Sequence, residues 1–251
     1  MSNIYTKEFE VSTYDVDINQ NIRISRIFAF FQEVAWLHAE ELQFGFFHLK
    51  ENHNSFWALS RLHINVNKYP KWNDKVTLRT WTVSANRLFA RRDFEVILND
   101  TVCAKGSSDW IIADLESRVL QDPSKILATI PYVFGEGLSE VSTERIKPTK
   151  LSLKDECIRK VRYNDLDMNN HLNSIRYLDW VLDCLPRDWH INNKVTNVSI
   201  NYMHEVACEQ EVRINYTQIK EAACTYQFIG INKNTNINSF LMEVSFEKIL
   251  L

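Results

Sequence analysis

The sequence contains little glycine and little proline, with five residues of each among 251. Glycine therefore makes up about 2% of the chain, against about 7% in average proteins. No glycine-rich stretch could wrap a phosphate group, which excludes the P-loop and the dinucleotide-binding motif. Gly-x-Ser-x-Gly and His-Glu-x-x-His are also missing, which excludes an α/β-hydrolase nucleophile turn and that type of zinc site. We therefore expect no cofactor and no metal.

The chain also lacks a strong charge, a long apolar run and a regular cysteine pattern. Its net charge is −3, from 29 basic and 32 acidic residues, which argues against a nucleic-acid partner. The apolar runs are far shorter than the ~18 residues that a membrane span needs, and no apolar secretion signal follows Met1. The five cysteines are an odd number without Cys-x-x-Cys, which is typical of free thiols. We expect a cytoplasmic protein with no membrane contact.

An internal repeat organises the sequence. Residues 15–19 read Asp-Val-Asp-Ile-Asn, and residues 165–169 read Asp-Leu-Asp-Met-Asn, at an offset of 150. Arg26 likewise recurs as Arg176. Each copy leads into a helical pattern. Ser25 is a candidate N-cap for the first helix, which we expect to run to about Leu42. Asn173 or Ser174 is a candidate N-cap for the second helix, which Pro186 should end.

Alternating apolar residues after each helix predict antiparallel strands. A second alignment, at offset 136, pairs Ile64 with Ile200. The change of offset means that the second copy has about 14 fewer residues between helix and strand. We place the extra residues of the first copy in a loop over 44–55. A single apolar helix must be covered by its sheet. The fold class that follows is α+β, a double hot-dog fold with a curved antiparallel sheet around a helix in each half. We expect an N-terminal domain at 1–135, a linker at 136–155 and a C-terminal domain at 156–251.

The differences between the two copies indicate where chemistry lies. Asn21 in the first copy becomes His171 in the second, and Tyr69 becomes Glu205. Three polar side chains, those of Asp167, Asn169 and His171, alternate before the second helix, and extended backbone would point them the same way. Asp and Asn at such positions also serve as turn formers and helix caps, which is the alternative interpretation. Glu205 follows the strand after the helix, where this fold would bring it towards His171.

The stretch from Asp165 to Trp180 resembles the catalytic segment of the acyl-acyl-carrier-protein thioesterases of plants and bacteria. The similarity covers roughly residues 5 to 250. Six further segments resemble the family in the same order: Trp57–Arg61, Tyr69–Asp74, Thr80–Thr82, Arg91–Asp93, Ser108–Trp110 and Ser117–Arg118.

The resemblance implies hydrolysis of the thioester between a fatty-acyl chain and acyl carrier protein. It places the catalytic residues at Asp167, Asn169, His171 and Glu205. Glu205 would activate water or attack the carbonyl carbon itself, while His171 and Asn169 polarise the carbonyl and Asp167 orients them. Some family members carry a cysteine directly after that glutamate. This chain has Val206 there, so a cysteine nucleophile is not expected.

The first half would then supply the acyl pocket, because its helix and the residues that follow it are rich in phenylalanine and tryptophan. The acidic carrier protein would dock on basic residues. The two candidate groups are Arg87, Arg91 and Arg92, or Lys147, Lys150 and Lys154. We expect a monomer or a homodimer. Two other functions fit the same fold: a hydratase or dehydratase acting on acyl thioesters, and an acyl-binding module without catalysis.

Overall fold

The structure, a computed structural model, describes residues 3–129, 134–153, 155–220 and 224–249. The chain divides into two compact units, Met1–Thr143 and Glu144–Leu251. We call them the first and the second unit. None of the helices in the described ranges is long and apolar enough to cross a membrane.

The first unit is an antiparallel sheet with one long helix. The strands lie in the order β1-β3-β4-β5-β2, and β6 pairs with β5. The elements of this unit are β1 (Tyr5–Glu10), α1 (Ile24–Glu41), α2 (Phe46–His53), β2 (Ser55–Val66), β3 (Lys75–Ala85), β4 (Ala90–Leu98), β5 (Thr101–Asp114), β6 (Leu120–Gln121) and α3 (Pro123–Leu127).

The second unit repeats this topology. Its strands lie in the order β7-β9-β10-β11-β8, which matches β1-β3-β4-β5-β2 position by position. The elements are β7 (Asp155–Lys160), α4 (Ser174–Leu182), α5 (Arg187–Asn192), β8 (Asn193–Tyr202), β9 (Glu211–Lys220), β10 (Thr225–Asn232) and β11 (Ile237–Lys248). Each unit is a hot-dog fold, so the chain has the double hot-dog fold that the sequence predicts.

Aromatic packing holds α1 against the sheet of its own unit. The ring of Phe31 stacks on that of Phe94 in β4, with 4.5 Å between centroids, and Phe30 stacks on Phe9 in β1 at 4.4 Å. A glycine makes the first contact possible, because a Cβ at Gly106 would lie 2.3 Å from the Phe31 ring. In the second unit the buried stripe of α4 is Tyr177, Leu178, Trp180 and Val181.

Three local predictions differ from the structure. Ser25 does not cap α1, because the helix begins at Ile24 and Ser25 is buried within it. The segment predicted as a loop over 44–55 contains α2. Most of the extra length of the first copy lies in the helix itself, since α1 has 18 residues and α4 has 9.

Both predictions about α4 are more accurate. Asn173 is its N-cap and accepts a hydrogen bond from the Ile175 N–H at 3.0 Å. The helix ends at Leu182, and Pro186 directly precedes α5.

Candidate active site

A tight turn between β7 and α4 carries three of the four predicted site residues. One carboxylate oxygen of Asp167 accepts the backbone N–H groups of Asn169 at 2.8 Å and His171 at 3.2 Å. The backbone N–H of Asp167 donates to the carbonyl of His171 at 2.8 Å, which closes the turn. Asn170 occupies the left-handed region at φ 62°, a conformation that asparagine tolerates better than most residues.

This geometry corrects the prediction of an extended segment. Asp167, Asn169 and His171 do not alternate along a strand; they surround a turn whose centre is the Asp167 carboxylate. The turn-forming role that the sequence left as the alternative is therefore real for Asp167. Asn169 is exposed, and no hydrogen bond of its side chain is found among the residues that the structure describes. The structure thus does not join the Asn169 amide to the other site residues.

The segment after β8 pairs with the turn and brings Glu205 to His171. The Leu172 N–H donates to the Val206 carbonyl at 2.8 Å, and His171 forms an isolated β-bridge with Ala207. These contacts leave 3.4 Å between Nε2 of His171 and Oε2 of Glu205. The side chain of Glu205 is 51% exposed and that of His171 is 26% exposed, so water reaches the carboxylate.

The first unit contains the same turn without this pair. Asp17 accepts the N–H groups of Asn19 at 2.8 Å and Asn21 at 3.1 Å, and Asn21 forms a β-bridge with Lys71. The position that corresponds to Glu205 is Tyr69, whose pKa is raised by burial and then by the charge of Asp17. The turn is therefore shared by both units, whereas the imidazole–carboxylate pair occurs in the second one.

Two tyrosines that pack together on α4 and β8 were missed by sequence reasoning. Tyr177 on α4 is 4% exposed, and its ring lies 5.7 Å from that of Tyr202 at the end of β8. Burial, and then the charges of Glu205 and Asp167, raise the pKa of Tyr177 above its ordinary value. The repeat offers a signal for both residues, because the same offsets align Tyr177 with Ile27 and Tyr202 with Val66.

Of the predicted basic group, Arg87 is exposed, whereas Arg91 is half-buried and Arg92 is buried. Arg91 donates from Nε and Nη2 to the buried carboxylate of Asp93 at 3.0 and 3.1 Å. Arg92 is 5% exposed and donates to Nδ1 of His38 at 2.9 Å. Both guanidinium groups therefore serve the interior of the first unit. In the second predicted group Lys147 and Lys150 are exposed, and Lys154 lies outside the described residues.

The described cysteines are all free thiols. No group of three or more His, Cys, Asp or Glu side chains is placed to hold a metal ion in the part of the chain that was searched. Val206, the residue directly after Glu205, has a fully buried side chain. The His171–Glu205 pair and Tyr177 offer an imidazole, a carboxylate and a phenol for acid–base chemistry.

The fold and the site define a double hot-dog protein with one imidazole–carboxylate pair in its second unit. Family models for the acyl-ACP thioesterase N-terminal domain and C-terminal domain match residues 2–129 and 149–248. The chain belongs to the acyl-ACP thioesterase family.

Individual relatives agree with this assignment. The chain is 27% identical to a chloroplastic oleoyl-acyl carrier protein thioesterase from Coriandrum sativum, over 91% of this chain and 66% of the relative. It is 30% identical to a chloroplastic oleoyl-acyl carrier protein thioesterase 2 from Arabidopsis thaliana, over 82% of this chain and 60% of the relative. The chain thus spans less than two thirds of the length of these curated relatives.

A solved structure shows the same fold over the full length. An acyl-ACP thioesterase from Bacteroides thetaiotaomicron superposes with a TM-score of 0.88 and 25% identity, covering 98% of this chain and 100% of that one.

Proposed function

We propose that the chain hydrolyses the thioester between a fatty-acyl group and acyl carrier protein and releases a free fatty acid. Membership of the family supports this activity. The observation that carries the proposal is the 3.4 Å contact between His171 Nε2 and Glu205 Oε2. Both residues are replaced at the corresponding positions of the first unit, as expected for a catalytic pair needed once per chain.

The proposed reaction joins the oxygen of one water molecule to the carbonyl carbon and breaks the carbon–sulfur bond. Glu205 accepts a proton from the attacking water and passes it to the departing sulfur, so the products are a carboxylic acid and the carrier thiol. A thiol such as cysteine has a pKa near ~8.5, so the sulfur leaves with little acid assistance. Forming the tetrahedral intermediate is then the harder step.

The resemblance implies that His171 polarises the carbonyl; because it contacts Glu205, we assign it the further role of holding the Glu205 carboxylate. A separation of 3.4 Å is longer than an ordinary hydrogen bond, and catalytic contacts of this kind often shorten when substrate binds. Asp167 acts through the backbone, because its carboxylate fixes the turn on which His171 stands. Asn169 is retained as a carbonyl-polarising residue from the family resemblance. Direct attack by Glu205, through an anhydride, would give the same products and needs the same ionised carboxylate.

The acyl chain requires an apolar pocket, and we assign that pocket to the first unit, as the sequence analysis expected. The aromatic residues of α1 and α2 support this assignment, since some of them are only partly buried, among them Trp36 and Phe46. The choice of carrier protein, the cytoplasmic location and the monomeric or dimeric state stay predictions.

The test is a panel of acyl-carrier-protein thioesters of different chain lengths, with release of the free thiol as the readout. Glu205→Gln keeps the shape of the side chain and removes the base, so thiol release should fall by about 10²- to 10⁴-fold. Glu209→Gln is the matched control, because Glu209 is a nearby exposed glutamate, 62% exposed, that pairs with Lys160 and Arg162. It should retain wild-type turnover.

Other results would assign a different function. Full activity of Glu205→Gln would refute the site. Loss or gain of enoyl absorbance without thiol release would indicate a hydratase or dehydratase, and saturable acyl binding without turnover would indicate a binding module.

A further inference from the structure

Tyr177 lies near the start of α4, in the helix that follows the turn carrying His171. It is the fourth residue of α4, and its ring meets the rings of Tyr202 and Phe240 edge-on, at centroid distances of 5.7 and 5.2 Å. Side chains of a helix point back towards its N-terminus. In α4 that end follows the turn that carries His171, so the Tyr177 ring is fixed towards the site.

The hydroxyl group of Tyr177 has no protein partner in the described ranges, where no hydrogen bond of this group is found. Only 4% of the residue is exposed. Burial and the nearby carboxylates of Glu205 and Asp167 raise the pKa of Tyr177, so the group stays protonated at neutral pH. It is a donor for which the described residues offer no acceptor.

Tyr202 provides the contrast. Its hydroxyl donates to the carbonyl oxygen of Ser174 at 3.0 Å, so this group stabilises the start of α4. Neither tyrosine is repeated in the first unit, where Ile27 and Val66 occupy the corresponding positions. One hydroxyl is therefore used by the fold, and the other is available to a ligand.

We propose that Tyr177 is a further catalytic residue, whose hydroxyl donates a hydrogen bond to the thioester carbonyl oxygen as that oxygen gains negative charge. The inference rests on the proposed thioesterase function. Water held by Glu205 must approach the carbonyl carbon to within about 3–3.5 Å, which places the carbonyl oxygen in the neighbourhood of the carboxylate. Among the described residues near the pair, the exposed Asn169 amide and the buried Tyr177 hydroxyl are donors without a protein acceptor, and the Tyr177 hydroxyl is the one that a helix holds in place.

The hydrogen bond involves no proton transfer. Tyr177 keeps its proton while the carbonyl oxygen becomes an oxyanion, and the electron pair returns to carbon when the carbon–sulfur bond breaks. A donor aimed at developing charge lowers the barrier because its interaction is stronger in the transition state than in the ground state.

Tyr177→Phe tests the inference, because it removes the oxygen and keeps every ring contact. We expect kcat for thiol release to fall by about 10²- to 10³-fold with little change in KM. The melting temperature should be unchanged or slightly higher, since the deleted hydroxyl makes no hydrogen bond to any described residue.

Tyr202→Phe is the matched control, which removes one hydroxyl from the neighbouring ring. Its hydrogen bond to Ser174 is structural. We therefore expect the opposite pattern: a melting temperature lower by several degrees and a kcat within about threefold of wild type.

Three results would overturn the inference. The first is wild-type kcat in Tyr177→Phe while Glu205→Gln is inactive, which leaves the proposed function intact. The second is a raised KM with unchanged kcat, or a kcat loss that only follows a lowered melting temperature. The third is a wild-type chain that releases no thiol from any thioester, which contradicts the proposed function as well.

Discussion

Asp17 and Asp167 perform the same structural task in the two units, each holding a turn through one carboxylate oxygen that accepts two backbone N–H groups. The turn in the second unit carries His171, and that in the first unit carries Asn21. We expect Asp17→Ala and Asp167→Ala to lower the free energy of unfolding by similar amounts, about 1–2 kcal/mol each. Urea unfolding of both variants measures this.

Activity should separate the two variants. Loss of the Asp167 carboxylate releases the backbone of His171, and a displacement of about 1 Å in a site can cost up to ~100-fold in rate. Asp17→Ala should leave thiol release at the wild-type level. Equal activity losses in both variants would show that the effect is one of general stability.

His171→Asn gives the second turn the residue that the first turn has at this position. We expect at least a ~100-fold loss of thiol release, because the partner of Glu205 disappears. The melting temperature should change little, since the His171 side chain is partly exposed and contacts Glu205 at the surface. Asn21→His is the reciprocal control, and on its own it should neither raise the activity of the wild type nor rescue His171→Asn.

A buried histidine makes the stability of the first unit depend on pH. Burial, and then the charge of Arg92, lower the pKa of His38 to about 3. The unfolded chain takes up this proton near pH 6.5 and the folded chain does not, so the stabilisation is complete above pH 6.5 and is lost as pH falls towards 3. This residue changes the free energy of unfolding by at most about 1.4 kcal/mol per pH unit.

Urea unfolding of His38→Gln between pH 7 and pH 5 measures that contribution. The variant should lose less stability than the wild type over this range, although His63, whose pKa is also lowered by burial, leaves a residual slope. His204→Gln is the control, since His204 is exposed. A variant at His38 that keeps the full wild-type slope would contradict the assignment.

The glycines beside aromatic rings predict a cost for one added methyl group. A Cβ at Gly106 would lie 2.3 Å from a carbon of Phe31, whose ring is fully buried against Phe94. Gly106→Ala should lower the free energy of unfolding by about 1–3 kcal/mol or more. Gly230→Ala repeats the test in the second unit, where the added carbon would lie 2.0 Å from the Phe240 ring. An unchanged melting temperature in either variant would show that the ring can move away.

The repeat carried most of what the sequence could predict. The offset of 150 aligns Asn21 with His171, and the offset of 136 aligns Lys71 with Ala207. In the structure Asn21 forms a β-bridge with Lys71, and His171 forms the corresponding β-bridge with Ala207. The meeting of His171 and Glu205 follows from that register. When the two copies are aligned, the residues that build the shared fold agree, so the polar residues that differ between the copies can be recognised in the sequence.

Other features had no such signal. Strand β5 has no alternating pattern to predict it by, because it buries the polar residues Ser107, Ser108 and Asp109. The buried state of Arg92 could not be predicted either, since its partner His38 lies 54 residues earlier. Tyr177 lies on the apolar stripe of α4, so the sequence alone indicates a core residue and gives no sign of a role for its hydroxyl.

The covalent joining of the two hot-dog units has an evolutionary consequence. In a symmetric dimer of identical single units, every substitution appears twice, so a histidine in one turn is a histidine in both. The fused chain gives Asn21 and His171 separate codons. One turn can therefore keep its scaffold and drop its reactive groups, which leaves that half of the protein open to selection for something other than chemistry.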